Sequence, residues 1–386
     1  MRKVFITVCE LEEIPYLPKG VETELFYAPL YEHAYRKIKD ASNKLGLDVE
    51  FVRAATFPVR GATNEFNPDF DDIVAVVSPL VFLAHSRCIE DAISFVTKND
   101  PAYATVGSIR SLFAIFGLGK MVSGAAVGSC QDFLHHISEC GAIYKNISLA
   151  DGEKAVPVSR IDYYKKIESY RQELIDYLIM SGVDVENREG VVVAPNTEIR
   201  RGTIIRQGTQ IGPWTRIREK CEIGPNAYIS GSDIEVGCVI KESHVTNSEF
   251  EENVKLEPYC NVDDTRIFAN TFVGSSTKIK SSVIGMDTRI QGNSYIINSE
   301  LGMKVSFGAG AVTVCHAERD TRKCKIGDNA VIGCNASLVA PLVVGPHGYV
   351  AAGSTITDDV PAGALAVARA YQKNRSSWNR RGKKNS

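Results

Sequence analysis

Apolar positions in the C-terminal half return every six residues. Val193, Ile199, Ile205, Ile211, Ile217, Ile223 and Ile229 keep that period without a slip, and Ile326, Ile332, Leu338, Val344, Val350 and Ile356 resume it. Between these runs the pattern limps through Val239 and Val245, Val273 and Ile279, Ile284, Ile290 and Ile296, then Leu301 and Phe307. A period of six fits neither a helix nor a plain strand alternation. It marks a parallel β-helix, in which three hexads make one triangular coil and each rung residue points inward onto its equivalents above and below. Glycines that follow the rung, such as Gly224, Gly274 and Gly308, let the chain bend at the corners. An ordinary sandwich of short strands does not produce seven repeats in register.

The beat fails between Phe307 and Ile326. The rungs due near Thr313 and Arg319 are not apolar, so this stretch reads as a loop leaving the coil, with an irregular full coil as the competing reading. It carries "CHAERDTRKCK", with His316 and five charged side chains between Cys315 and Lys325.

The first half alternates differently. "KVFITV", "DVEFVRA" and "DDIVAVV" read as strands, "PLYEHAYRKIKDASNKLG" and "SRCIEDAISFVTK" as helices, which predicts an α/β domain with a largely parallel sheet over residues 3–155. The loop after the first strand, "CELEEIPYLPKG", has three acids and no glycine before Gly20, so it lacks the bare N–H groups that cradle a phosphate. A helix runs from the N-cap Ser159 to the C′ residue Gly182, with Tyr164, Ile167, Tyr170, Leu174 and Leu178 on one face. The expected domains are 1–158 (α/β), 159–187 (connecting helix), 188–361 (β-helix) and 362–386 (basic tail).

Composition changes this picture little. The chain has 386 residues, 44% hydrophobic, and a net charge of −2. The short apolar run at the start breaks at Glu10, no stretch approaches a membrane span, and ten scattered cysteines without a C-x-x-C pair suit a reducing cytoplasm. From Arg369 to Ser386 there are seven Lys/Arg and no acid, which reads either as a solvated tail or as an anion site. No basic stripe elsewhere suggests nucleic acid. "FLHHISEC" brings His135, His136 and Cys140 close, but the spacing matches no strong metal motif, and no metal is expected.

The stretches "IGDNAVIGCNASLVAPLVVGPHGYVAAGSTITDDVPAGALAVARAYQ", "FGAGAVTV", "VGSSTKIKSSVIG", "LIDYLIMSGVDVEN" and "SSWNRRGKK" resemble the bacterial bifunctional N-acetylglucosamine-1-phosphate uridylyltransferase/glucosamine-1-phosphate acetyltransferase family. The resemblance is strong over residues 300–386, fair over 157–300 and faint before. It implies a degenerate, shortened nucleotidyltransferase-like α/β domain followed by a left-handed parallel β-helix. It also implies a cytoplasmic homotrimer that uses acetyl-CoA as co-substrate and acts on an amino sugar or sugar phosphate in UDP-N-acetylglucosamine biosynthesis. By position it gives substrate contacts to Lys280, Tyr295 and Ser306, and the acetyl-CoA cleft to Ala309, Cys334, Ala352 and Arg369.

The departures from the family are specific. Gly292 stands where the family has its catalytic histidine, Asp263 falls near its phosphate-binding arginine, and Ser306 replaces a pocket asparagine. Cys315-His316 replaces an Asn-Tyr pair and Thr321 a loop lysine. Val77 replaces the metal-binding aspartate, so Mg²⁺ and a triphosphate lose an anchor. Amide formation needs a base for the amine proton. Of the β-helix histidines, His244, His316 and His347, the loop residue His316 is the candidate; Cys315 as an acyl-accepting thiolate is a weaker one. Three readings stay open: an acyltransferase with a relocated base, a trimeric pseudoenzyme with a binding or regulatory role, and a surviving nucleotidyltransferase.

Overall fold

The computed structural model describes residues 3–8, 24–25, 28–51, 72–77, 81, 84, 86–99, 101–108, 111–118, 134–135, 138–147, 159–314 and 323–374. The chain forms two compact units, one of residues 1–199 with 207–215, the other of 200–206 with 216–386.

In the first unit the apolar runs become strands of one sheet whose central strands are buried. β1 (Lys3–Val8) pairs in parallel with β4 (Asp48–Phe51) and β5 (Ile73–Val77), all five residues of β5 being buried. Helices α1 (Leu30–Lys44) and α2 (Ser86–Lys98) contribute Ala34, Ile38 and Ala41, and Ile89, Ala92, Ile93 and Val96, to this core. The short β2 (Glu24–Leu25) and β3 (Ala28–Pro29) pair separately. The sheet is more mixed than its strand–helix alternation suggests. β6 (Ala102–Ser108) and β7 (Ser111–Leu118) are antiparallel, because the two residues between them leave room only for a hairpin. β7 is also antiparallel to β5, while β8 (Ile143–Ile147) returns parallel to β6, for an order β4-β1-β5-β7-β6-β8.

Helix α3 (Arg160–Met180) starts where expected: the Asp162 N–H donates to the Ser159 hydroxyl at 3.2 Å, and Gly182 follows with φ +91°. Its buried face holds Tyr163, Tyr170, Leu174, Ile175 and Leu178; Tyr164, expected there, is 55% exposed and its neighbour Tyr163 takes the inward place. The fully buried His33 donates from Nε2 to the Leu25 carbonyl at 2.6 Å and accepts at Nδ1 from the Tyr170 hydroxyl at 3.1 Å. Lys37 and Glu173 meet at 2.5 Å beside them. On the other side of α3, Arg171 caps the carbonyls of Arg188 and Val191 at 2.9 and 2.7 Å.

Glu168 also grips Arg171. The Arg171 guanidinium, with help from the Gln172 amide, holds the Glu168 carboxyl down at about 2. A carboxylate lowered on folding stabilises above its unfolded pKa and loses that contribution as pH falls through the folded one. Wild type is therefore expected to exceed Glu168→Gln by under about 1 kcal/mol above pH 4.5, the Glu168 carboxylate being exposed and screened by solvent. That gap should close towards pH 2, as urea midpoints across this range would report.

The second unit is the predicted left-handed parallel β-helix. Its strands stack into three parallel faces. The first face contains 228–230, 244–246, 261–263, 278–280, 295–297, 312–314 and 337–339. The second contains 216–217, 233–234, 249–250, 266–267, 283–284, 299–301 and 324–326. The third contains 222–223, 239–240, 255–256, 272–273, 289–290, 306–307 and 331–332. One rung residue per strand is buried: Ile229, Ile234 and Ile240, then Val245, Phe250 and Leu256, then Val262, Ile267 and Val273, and so on upwards. The limp in the periodicity has a geometric cause. The corner between the first and second faces is one residue short, turned by a single left-handed residue at Asn247, Asp264, Ser281 and Asn298 (φ +45 to +49°). The rung after it thus comes five residues on. This moves one expected rung: Ile240, not Val239, points inward.

The coil also runs further than expected. Thr313, read as part of a loop, is a rung, 1% exposed. Its hydroxyl accepts from the Ile297 N–H at 2.8 Å and donates to the Ile297 carbonyl at 3.2 Å, so a polar side chain sits inside without an unmade bond. A column of buried hydroxyls leads into the second face: the N–H groups of Ser248, Thr265 and Ser299 donate to the hydroxyls of Ser232, Ser248 and Ser282 at 3.1–3.2 Å.

Candidate functional site

The corner from the third to the first face is built from small residues. After the rungs Val273, Ile290, Phe307, Ile332 and Val350 the chain turns through Ser275, Gly292, Ala309, Cys334 and Ala352 in successive coils. Their carbonyls accept from Asn293, Gly310, Asn335 and Gly353 N–H groups above them at 2.9–3.1 Å, so the five stand in one column. The coils approach so closely here that a Cβ on Gly308 would lie 2.5 Å from the Cys334 nitrogen, and one on Gly333 2.5 Å from the Ala352 nitrogen. Cys334 and Ala352 are exposed and Ala309 half-buried. Arg369 closes the column, donating from Nη1 to the Ala352 carbonyl at 3.0 Å. Ala309, Cys334, Ala352 and Arg369 are thus brought together at one corner.

The other three positions lie on the faces beside it. Ser306 stands on the third face, paired with Arg289 and Val331. Tyr295 and Lys280 stand on the first face, Tyr295 opposite Lys278 and Lys280 opposite Ile297. Ser306 and Tyr295 therefore flank the corner from opposite sides, and Lys280 lies a coil below Tyr295. Lys280 is half-exposed and 3.9 Å from Asp263. Cys315, His316 and Thr321 lie outside the described residues, as does His136 of the "FLHHISEC" stretch. His347 is exposed at the corner between the second and third faces, and His244 is exposed on the first face. In the other unit Val77 is buried in an all-apolar strand, so it offers no oxygen to a divalent cation. Among the described residues no group of three or more His, Cys, Asp or Glu is placed to hold a metal ion, and no helix is long and apolar enough to cross a membrane.

Two polar groupings were not assembled by the sequence reading, although it named Lys280 and Asp263 of the second. Where the chain re-enters the second face, Lys323 and Lys325 bracket Glu300 at 2.7 and 3.7 Å and lower its carboxyl below the usual range, Lys323 foremost. They line an open cleft of about 630 Å³ with Leu342, Val343 and Asp359. A second cleft, of about 280 Å³, lies on the first face among Thr246, Asn261, Asp263, Lys278 and Lys280. Both join residues of successive coils, 15 or more positions apart from one coil to the next, that share a face only once the coil register is known.

The hexapeptide family described as "GlmU-like, C-terminal hexapeptide" matches residues 220–304. The Bifunctional protein GlmU of Clostridium kluyveri is 31% identical over 307 residues, covering 78% of this chain and 65% of that protein. The chain is thus similar to GlmU proteins over most of its length. The Bifunctional protein GlmU of Thermoanaerobacter pseudethanolicus is 38% identical over 154 residues, 40% of this chain and 34% of that one. The chain therefore spans less than two thirds of the GlmU proteins it matches. Among solved structures, LpxA from Acinetobacter baumannii aligns over 46% of this chain and 71% of its own, at 16% identity and a TM-score of 0.30.

Proposed function

We propose that this GlmU-like chain is an acyl-CoA-dependent N-acyltransferase that moves an acetyl group from acetyl-CoA to the amine of an amino sugar or sugar phosphate, working as a cytoplasmic homotrimer. The observation that carries the reading is the small-residue column of Ala309, Cys334 and Ala352 closed by Arg369, a narrow exposed corner with a cation at its end. The small side chains leave room for an extended pantetheine arm, and the Arg369 guanidinium suits the coenzyme's phosphates. Tyr295 and Lys280 on one side, and Ser306 on the other, orient the acceptor. The acceptor amine attacks the thioester carbonyl, a base takes the amine proton, and the C–S bond breaks to release the CoA thiolate, which is then protonated. His316 is assigned as that base.

Val77 argues against nucleotide transfer by the α/β unit, and that activity is left out of the proposal. One observation favours a second reading, a trimeric binding or regulatory protein: Gly292 stands in the corner column where the family resemblance puts a catalytic histidine.

The test is CoA thiol release from acetyl-CoA with a panel of amino sugars and their 1-phosphates, for wild type and His316→Ala. Acceptor-dependent release that drops at least about 100-fold in the variant is expected, the scale of a lost general base. Release that survives in the variant removes His316 from the mechanism. Acetyl-CoA binding without release from any acceptor supports the regulatory reading.

A further inference from the structure

Behind the third face runs a column of buried side chains, just inside the corner that leads in from the second face. Thr203, Cys221, Cys238, Val254, Thr271 and Thr288 follow one another coil by coil, each 1% exposed or less. The residues next to them fix this register: Ile204 pairs with Glu222, Glu222 with Val239, Val239 with Lys255, Lys255 with Phe272 and Phe272 with Arg289.

The polar members of the column share one task. Thr203, Thr271 and Thr288 donate their hydroxyls to the carbonyls of Arg218, Gly285 and Gly302 at 2.7, 3.1 and 3.0 Å. Cys221 and Cys238 aim their thiols at the equivalent carbonyls of Glu235 and Glu251, both at 3.1 Å. A hydroxyl meets that demand better, since a thiol is the weaker donor. Two thiols in successive coils bring what hydroxyls lack, sulfurs able to join. Among the described cysteines of the β-helix only these two stack on one another. Cys260 lies between Ser243 and Thr277, Cys324 between Ser299 and Leu342, and Cys334 between Ala309 and Ala352.

Both thiols are free. One coil separates their Cα atoms, about 4.8 Å, inside the roughly 4.4–6.8 Å that a disulfide spans. The Cys238 S–H also lies within hydrogen-bond reach of the Cys221 sulfur, which holds the Cys221 thiol below its usual range. The Cys238 thiol is pushed up by the same bond and by burial. One sulfur is thus prepared to become the thiolate and the other to keep its proton. Each sits one residue inside a left-handed corner residue, the exposed Lys220 (φ +59°) and the half-buried Gly237 (φ +75°). A small oxidant therefore needs only a local opening of the corner to reach them.

We propose that Cys221 and Cys238 are an oxidation site, forming a reversible disulfide between successive coils when a peroxide reaches them. The Cys221 thiolate attacks one oxygen of hydrogen peroxide, the O–O bond breaks, and the leaving hydroxide takes up a proton as water. Cys221 is left as a sulfenic acid. The Cys238 sulfur attacks that sulfur, the S–O bond breaks, and the thiol proton leaves with the hydroxyl as a second water. Two thiols are oxidised and one peroxide is reduced to two waters; a dithiol reductant restores both thiols by exchange. The pair lies away from the small-residue corner and its chemistry stands whether or not acyl transfer occurs.

Trypsin gives a direct readout. The peptide 221–241, cut out after Lys220 and Lys241, contains both cysteines and no internal Lys or Arg, while Cys260 falls in the peptide 256–266. The folded, reduced, full-length chain is exposed to hydrogen peroxide, denatured, alkylated with iodoacetamide and digested for mass spectrometry. Peptide 221–241 is expected unalkylated and two hydrogens lighter than its reduced form, and twice alkylated again after dithiothreitol, with Cys260 alkylated throughout. Cys238→Ser is expected to stop at the Cys221 sulfenic acid, trapped by dimedone, and Cys221→Ser to give no adduct at Cys238. Serine keeps a donor for the carbonyl, as the threonines of the column do, and thermal melting verifies that both variants are folded. The wild-type mapping decides the disulfide without either variant. Peptide 221–241 that stays twice alkylated, that oxidises no faster than Cys260, or that closes its disulfide only in urea overturns the proposal, as does a dimedone adduct at Cys238 in place of Cys221.

Discussion

Phe307→Ala is expected to destabilise the β-helix unit by about 3–5 kcal/mol, the range for truncating a buried aromatic. Phe307 is fully buried, stacked between Ile290 below and Ile332 above, and is among the largest buried side chains of the chain. The site collapses poorly after truncation, because the backbone around it is already at its closest approach: Gly308 has no space for even one added carbon. Each coil touches only its neighbours, so a cavity at this level weakens one junction of the stack rather than spreading through a broad core. Urea denaturation followed by circular dichroism is expected to show a lower midpoint and an earlier melting of the coils beyond residue 307. Val283→Ala, at a half-exposed position on the second face, is the matched control and should stay within about 0.5 kcal/mol. A change below about 1 kcal/mol at Phe307 would mean that this rung carries no packing.

Cys334→Trp is expected to weaken acetyl-CoA binding by about 100-fold or more, about 2.7 kcal/mol, with the coil intact. The exposed Cys334 stands between Ala309 and Ala352 in the corner column, so an indole there covers both small neighbours. It projects into solvent rather than into the stack, so the fold has little to lose, and an unchanged melting temperature separates blocked access from unfolding. Cys334→Ser keeps the size and should bind within about two-fold of wild type, well inside the context-dependence of one weak contact. Calorimetric titration of the three proteins decides the matter. Full affinity in Cys334→Trp would move the coenzyme away from this corner and remove the main support for the acyltransferase reading.

The sequence was most legible where one interaction repeats. Seven rungs from Val193 to Ile229 are all buried, because a stacked coil puts the same demand on every sixth residue. It was least legible where corners or polarity break that rule. Ile234, Phe250 and Ile267 are rungs displaced by the short corner after the first face, and Thr313 is a rung that a count of apolar residues cannot register. The antiparallel β7 was hidden for a related reason, since an apolar strand does not reveal its direction. For the site, the small residues of the corner were found by resemblance, and their alignment in one column follows from the coil register. Of the first-face cleft the resemblance singled out Lys280, but Thr246, Asp263 and Lys280 are polar residues 17 apart until three coils place them side by side.

That spacing has a consequence for how such a chain changes. Ser282 and Ser299 occupy the same place in successive coils and are 17 positions apart. Removing or copying a segment of that length rejoins face to face and corner to corner, with every hydroxyl column and every rung still aligned. The height of the unit is therefore a copy number, which duplication within a gene can adjust without redesigning any contact. Each added copy extends all three surfaces by one step of about 4.8 Å, and its outward residues are then free to diverge while the inward ones hold.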